Sequence, residues 1–163
     1  MTIEHLRRTM TRDLAALRAE LRAYPRPEHL WELPPGIRNS AGTLALHVSG
    51  NLQHFIGAQL GGTGYVRDRP AEFSERNVPL DELEERLDRS IRVVEETLGA
   101  LREEDLARDY PLELAGARLS TGLFLAHLAA HLAYHLGQVD YHRRLVTGRE
   151  EAVEGVGSMA ALR

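Results

Sequence analysis

Apolar residues recur every three or four positions in four segments of the chain, which is the spacing of one face of an α-helix. The first and third segments show it most regularly. Their apolar positions are Ile3, Leu6, Met10, Leu14, Leu17, Leu21 and Tyr24, and then Leu80, Leu83, Leu87, Ile91, Val94, Leu98 and Leu101. Pro25 and Pro27 end the first helix, and Pro79 begins the third at a position where a missing N–H costs little.

The second and fourth helices are marked mainly by their ends. Asn39 or Ser40 caps the second helix, and the glycines from Gly61 onward end it. Ser120 or Thr121 caps the fourth helix, which runs to about Val146 and ends at Gly148. These segments predict an all-α protein, a four-helix bundle with a long loop over 63–78 between helices two and three. We expect one domain over 1–148 and a C-terminal tail over 149–163 that is at best partly ordered.

Composition removes several kinds of chemistry. The chain of 163 residues contains no cysteine, so disulfides, thiolate metal sites and a cysteine nucleophile are excluded. It also contains no lysine, which excludes Schiff-base chemistry on a lysine amine. A net charge of −4 with interspersed signs argues against nucleic acid as a partner. No apolar run reaches the ~20 residues that span a bilayer, and the charged N-terminus does not resemble a signal peptide. We therefore expect a cytoplasmic protein without a membrane partner.

Histidines give the strongest chemical signal. The chain has eight of them, and four fall within about 80° of arc on the fourth helix, with Gln138 between them. These are His127, His131, His135 and His142. Because leucines flank them, we expect all four to point into the bundle.

The second helix offers a matching histidine. His47 shares a face with the apolar stripe, with Asn51 one turn later and His54 a further turn along. Two histidines at i and i+4 can bind one metal ion together with a third from a facing helix, and three neutral nitrogens leave a position open. The alternative is a packed cluster of histidines held by hydrogen bonds alone. His5, His29 and His142 are interpreted as structural or surface residues.

Two segments carry a family resemblance. Residues 46–52, LHVSGNL, followed by Phe55 and Ile56, resemble the second helix of the DinB/YfiT-like superfamily. Residues 131–139, HLAYHLGQV, resemble its signature of a histidine four residues before His-x-Gly-Gln. Residues 67–73, RDRPAEF, are similar to a stretch in one uncharacterised branch of that superfamily. The resemblance covers most of the chain, from helix two to helix four.

The resemblance implies a bundle that holds a divalent metal, usually zinc or nickel, with iron or manganese also possible. It assigns the ligands as His47, His131 and His135, and it implies a homodimer. Four further side chains are then candidate neighbours of the ligands, either around them or, for His127, as a fourth ligand. They are Asn51, His54, His127 and Gln138.

Some members of that superfamily transfer low-molecular-weight thiols such as bacillithiol or mycothiol to electrophiles, and one isomerises maleylpyruvate. A thiol transferase with a small-molecule substrate is therefore our first expectation, with the thiol arriving as a cosubstrate. The alternatives are a non-catalytic metal-binding stress-response module and a metal-dependent hydrolase. A hydrolase needs a nearby acidic base, and we expect none from helices two and four, because Asp140 points away from His131. Arg67 and Arg69 are candidates to bind a carboxylate of the thiol or substrate, although a solvated loop or a dimer contact would also explain them.

Overall fold

The structure, a computed structural model, describes residues 2–153, 155, 157 and 159. Five α-helices make up most of it. They are α1 (Ile3–Arg22), α2 (Ala41–Leu52), α3 (Arg69–Ser74), α4 (Leu80–Ala100) and α5 (Thr121–Thr147). Short 3-10 turns form at Pro27–Trp31 and Glu103–Ala107, and α2 continues into a π-helical segment, Gln53–Ala58. The prediction of an all-α protein is confirmed, since the described residues form no strand beyond isolated bridges.

Each of α1 and α2 packs against both α4 and α5, and these four helices share one apolar core. The predicted stripe of α1 is buried along its length, and so are Leu83, Leu87, Val94 and Leu98 of α4. Helix α2 is buried on every side, which fits its almost uncharged sequence. Every face of α2 is therefore covered by the rest of the protein, and polar side chains on α2 need hydrogen-bond partners inside the protein.

The helix starts follow the capping residues. Ser40 accepts a hydrogen bond from the backbone N–H of Thr43 at the start of α2. Ser120 does the same for Leu123 at the start of α5, and Gly148 closes α5 in the left-handed conformation at φ 67°. The 110–119 segment forms a turn closed by two isolated antiparallel bridges, without strands on either side.

The connection after α2 differs from the prediction. The sequence predicts a loop over all of 63–78, but residues Arg69–Ser74 form α3. Asp68 caps α3 by accepting from the N–H of Ala71, and Pro70 lies in its first turn. Helix α3 packs against α2, and this contact brings the connection to the candidate site.

Beyond α5, two arginines hold the backbone that follows. Arg143 donates to the carbonyl of Glu151, and Arg144 donates to the carbonyl of Glu150. The expectation of partial order for 149–163 falls in part on residues 154, 156, 158 and 160–163, which lie outside the described residues.

Candidate metal site

Three histidines from two helices meet at one point. The Nε2 atom of His131 lies 3.0 Å from Nε2 of His135 and 3.4 Å from Nε2 of His47. One ligand atom from each of the three lies within 4.8 Å of the others. His47 is buried, while His131 and His135 are half-buried at the edge of the core. The spacing predicted on α5 and the facing position predicted on α2 thus bring the three proposed ligands together.

His47 is oriented by a carboxylate from α3. Its Nδ1 donates a hydrogen bond to Oε2 of Glu72 at 2.9 Å, which leaves the lone pair on Nε2 directed at the other histidines. Glu72 is buried, and Arg67 binds both of its oxygens, with Nε 2.6 Å from Oε1 and Nη2 2.8 Å from Oε2. Burial by itself raises the pKa of Glu72, but the hydrogen bonds from Arg67 and His47 outweigh it and lower the pKa. Glu72 is therefore an anion that fixes the ring of His47.

His135 is oriented from its own helix. Its Nδ1 donates to Oε1 of Gln138 at 2.7 Å, one turn further along α5. The lone pair of Nε2 is then free to face His131 and His47. Gln138 was a candidate neighbour of the ligands on sequence grounds, and the structure places it in contact with one of them.

Burial favours the uncharged form of two of the three histidines, His131 and His135. Burial, with repulsion from His135 and His47, lowers the pKa of His131 to about 4. Burial also lowers the pKa of His135, although the hydrogen bond that His135 donates to Gln138 acts in the opposite direction. His131 and His135 are therefore uncharged at neutral pH, which is the form that binds a metal.

The chemistry of these donors fits a divalent metal of the zinc type. Nitrogens at about 2.0–2.1 Å from a tetrahedral ion lie about 3.4 Å apart, close to the separations of 3.4 and 3.0 Å between Nε2 of His131 and Nε2 of His47 and His135. Asn51, one turn after His47, is buried, and its Oδ1 has no hydrogen-bond partner among the described residues.

His54 lies outside the triad. It is the second residue of the π-helical segment, where the wider turn changes the direction of side chains relative to the α-helix before it. Its ring contacts Phe55, and its buried Nδ1 has no partner among the described residues. Burial, and then the charge of Arg67, lower its pKa.

The prediction that all four histidines of α5 point inward together is wrong for His127, which is exposed and stacks on His131 with ring centroids 6.0 Å apart. His142 is buried, but it lies at the other end of the helix. It contacts Oη of Tyr24 through Nδ1 at 2.8 Å and the carbonyl of Glu32 through Nε2 at 2.9 Å. The spacing along a helix gives only the directions of its side chains relative to one another. Which of these side chains are buried depends on how α5 packs against the other helices.

The two candidate arginines are in different situations. Arg67 is bound to Glu72 and lies over the ring of Phe55, so its charge already has a partner inside the protein. Arg69 is exposed and lies over Phe73, whose ring is 4.9 Å from the ring of His47. Of the pair, only Arg69 presents a guanidinium to solvent beside the site.

Glu72 is the site residue that the helical patterns miss. The sequence predicts no acidic base from its second and fourth helices, which are α2 and α5 of the structure. Asp140 of α5 pairs with Arg143 and Arg144. The acid comes instead from the connection between the helices. In the sequence, Asp68 followed by Pro70 is typical of a capped helix start. A helix that begins there has Glu72 in its first turn.

Comparison with known proteins agrees with this site. The model of the DinB superfamily matches residues 3–139, which include all three histidines and Glu72. The chain belongs to the DinB superfamily. DinB-like proteins are metal-binding, so three converging histidines are in keeping with the family.

The fold of this DinB protein has a counterpart of known structure. The crystal structure of a conserved protein from Enterococcus faecalis is similar over 91% of this chain and 99% of that chain, with a TM-score of 0.68 and 19% sequence identity. At that identity the likeness concerns the fold. No curated protein gives a significant match to the sequence. Among the described residues, no helix combines the length and the apolar character needed to cross a bilayer.

Proposed function

We propose that His47, His131 and His135 bind one divalent metal ion between α2 and α5 of a four-helix bundle formed by α1, α2, α4 and α5. The observation that carries this proposal is that the ligand nitrogens of the three histidines converge while two of the imidazole rings are held in orientation by hydrogen bonds. Three Nε2 atoms meet, while the opposite nitrogens of His47 and His135 are held by Glu72 and Gln138. A ring held from behind loses little freedom when it binds a metal, and such partners also fix the tautomer. Zinc or nickel is the ion we expect, with iron or manganese as the other possibilities.

For the activity, we propose transfer of a low-molecular-weight thiol to an electrophilic small molecule. A divalent metal supplies a positive charge that lowers the pKa of a thiol and holds the thiolate. The protein contributes three neutral ligands, so that a position is left for the cosubstrate. It contains no cysteine, and the sulfur must therefore come with the thiol.

The state of Glu72 favours thiol transfer over hydrolysis. A hydrolase of this kind needs a carboxylate that can take a proton from water in the site. Glu72 is occupied by Arg67 and by the far nitrogen of His47, and its pKa is lowered. No other acidic side chain among the described residues contacts the triad. Arg69, exposed beside Phe73, is the residue we propose for binding a carboxylate of the thiol or substrate.

Metal analysis of untagged protein, purified without a metal column, tests the first step. We expect about one equivalent of metal per chain, lost in His131→Ala and kept in His127→Ala, the exposed histidine one turn earlier on α5. Metal content well below one per chain that His131→Ala does not change would contradict the site.

A rate assay tests the second step. Metal-loaded protein is incubated with a panel of thiols and a chlorinated or epoxide electrophile, and we expect a metal-dependent rate with one thiol that His131→Ala abolishes. A metal-dependent rate of ester or amide hydrolysis without thiol would favour a hydrolase. Absence of any metal-dependent rate in a protein that holds its metal would favour a non-catalytic binding module.

The resemblance also implies a homodimer, and we propose this assembly for the protein. Sedimentation equilibrium of the metal-loaded chain measures it directly. A mass of one chain at micromolar concentration would contradict the dimer and leave the metal site untouched.

A further inference from the structure

A separate cavity, not lined by any of the three histidines of the triad, lies along the C-terminal half of α5. It has a volume of about 520 Å³, within the usual range for small-molecule sites of about 300–1,000 Å³. Its walls come from the segment before α2, from α2 itself and from α5. The lining residues are Gly36, Ile37, Arg38, Asn39, Leu44, Gln138, Tyr141, His142 and Leu145.

Most of this wall is apolar. Leu44 is buried at its base, while Tyr141 and Leu145 are 76% and 59% exposed around it. Large apolar side chains exposed together around a concave surface mark a place where an apolar ligand gains by leaving water. His142 does not make the wall more polar, because both of its nitrogens are already bonded, to Tyr24 and to the carbonyl of Glu32.

The charged side chain in this wall, Arg38, is a cation. Arg38 is exposed and makes no hydrogen bond or ion pair with any described residue, whereas most arginines of this chain are paired. None of the described residues that line the cavity is acidic, although the protein has a net charge of −4. Ser40, the residue that caps α2, directly follows the lining residue Asn39, and the first turn of α2 carries no acidic side chain. An unpaired guanidinium close to a helix N-terminus favours an anion there.

We propose that this cavity binds a small amphipathic carboxylate. The apolar body lies between Leu44, Tyr141 and Leu145, and the carboxylate lies at Arg38. The site does not need the metal proposed above, although Gln138 belongs to both, since it lines the cavity and accepts from His135. An occupant of the cavity therefore lies next to a residue that orients a ligand of the triad.

Octanoate and octan-1-ol, which share one chain length and differ in the carboxylate, are suitable probes for calorimetric titration. We expect saturable binding of octanoate and weaker binding of octanol. Arg38→Gln should weaken octanoate by about tenfold, the usual loss for one charge-assisted contact, and leave octanol unchanged. Arg118→Gln, which removes another exposed arginine remote from the cavity, is the control and should leave both unchanged.

A second pair of variants tests the apolar wall without disturbing the core. Leu145→Asp should abolish binding of both probes. Leu123→Asp, at a leucine that is equally 59% exposed near the other end of α5, should leave binding as it is. Equal losses in the two leucine variants, or failure of the wild-type protein to bind octanoate, would overturn the proposal.

Each titration is repeated with a chelator and with His131→Ala. We expect octanoate binding to persist in both, so that failure of the metal proposal leaves this one intact. Octanoate binding that disappears with the metal would place the carboxylate at the triad, and the proposed site would be wrong. A Leu145→Asp variant that lowers the mass in solution, with octanoate affinity unchanged, would show a subunit interface there and would overturn the proposal as well.

Discussion

The carboxylate of Glu72 accepts a hydrogen bond from Nδ1 of His47 at 2.9 Å, although 25 residues separate the two along the chain. The contact joins the connection between α2 and α4 to the wall of the candidate metal site. Its counter-charge, Arg67, comes from the same connection. The geometry of a histidine on a buried helix is thus controlled by a segment at the edge of the fold.

Removing the charge of Glu72 should weaken metal binding. In Glu72→Gln the amide keeps the shape of the side chain but no longer balances Arg67 or strengthens the ring of His47 as a ligand. We expect the metal affinity to fall by about 10–100-fold in a competition titration with a chromogenic chelator. Glu75→Gln, in the same connection and paired with Arg86, is the control and should change little. Equal affinities in the two variants would show that Glu72 does not orient the ligand.

Gly50 permits the close approach of Glu72 to α2. A Cβ at this position would overlap Oε1 of Glu72 and lie 2.8 Å from its Cδ. Gly50→Ala should therefore displace the carboxylate and lower metal affinity by about tenfold, even though alanine favours a helix.

Gly137→Ala is the matched control, because a Cβ there meets no atom within 4 Å and the residue also lies in a helix beside the site. It should stabilise the protein by up to about 1 kcal/mol through helix propensity, with metal affinity unchanged. An affinity in Gly50→Ala equal to that of Gly137→Ala would contradict the assigned packing of Glu72.

The metal-free protein should lose stability as the pH falls from about 6.5 to 4. The pKa of His131 is lowered to about 4 in the folded state by burial and by the neighbouring histidines, whereas an unfolded histidine titrates near 6.5. Between these values the unfolded chain binds more protons, so the free energy of unfolding decreases as the pH decreases. Urea denaturation in the presence of a chelator measures it.

His131→Ala should flatten this pH dependence by about 1–2 kcal/mol, allowing for screening at a half-buried position. The exposed histidine supplies the control: His127 contributes least of the three neighbouring histidines that lower the pKa of His131, so His127→Ala should keep most of the wild-type slope. A slope that is the same in both variants would mean that His131 is not held in its neutral form.

Arg143 is expected to matter for stability and not for the metal. It is 2% exposed, donates through Nε to Glu20 at 2.6 Å, and also contacts Asp140 and the carbonyl of Glu151. Arg143→Met leaves the carboxylate of Glu20 buried without its cation and should cost about 3–5 kcal/mol in urea denaturation. Arg144→Met, which removes a more exposed partner of the same Asp140, should cost less than about 1 kcal/mol. Similar costs for the two arginines would contradict the buried pair.

The sequence predicted the long helices well because their stripes repeat over five or more turns, as in α1 and α4. It also brought His47, His131 and His135 together, since spacing on one helix and a resemblance over two helices pointed to the same residues. The hydrophobic pattern did not predict α3 or the position of Glu72, because a segment of six residues shows no periodicity and its position depends on contacts with α2. It misplaced His127 because α5 is apolar on most sides, so its pattern does not show which side the other helices cover.

Helix α3 has six residues, too few to be stable in isolation, and Glu72 attaches it to the protein through His47. We therefore expect order in this segment to be thermodynamically linked to occupancy of the triad by the proposed metal. Binding of that metal at His47 should slow the exchange of the amide hydrogens of α3, and by reciprocity contacts that stabilise α3 should strengthen metal binding. The affinity of the triad would then respond to contacts made on the connection between α2 and α4, without a change to any of the proposed ligands.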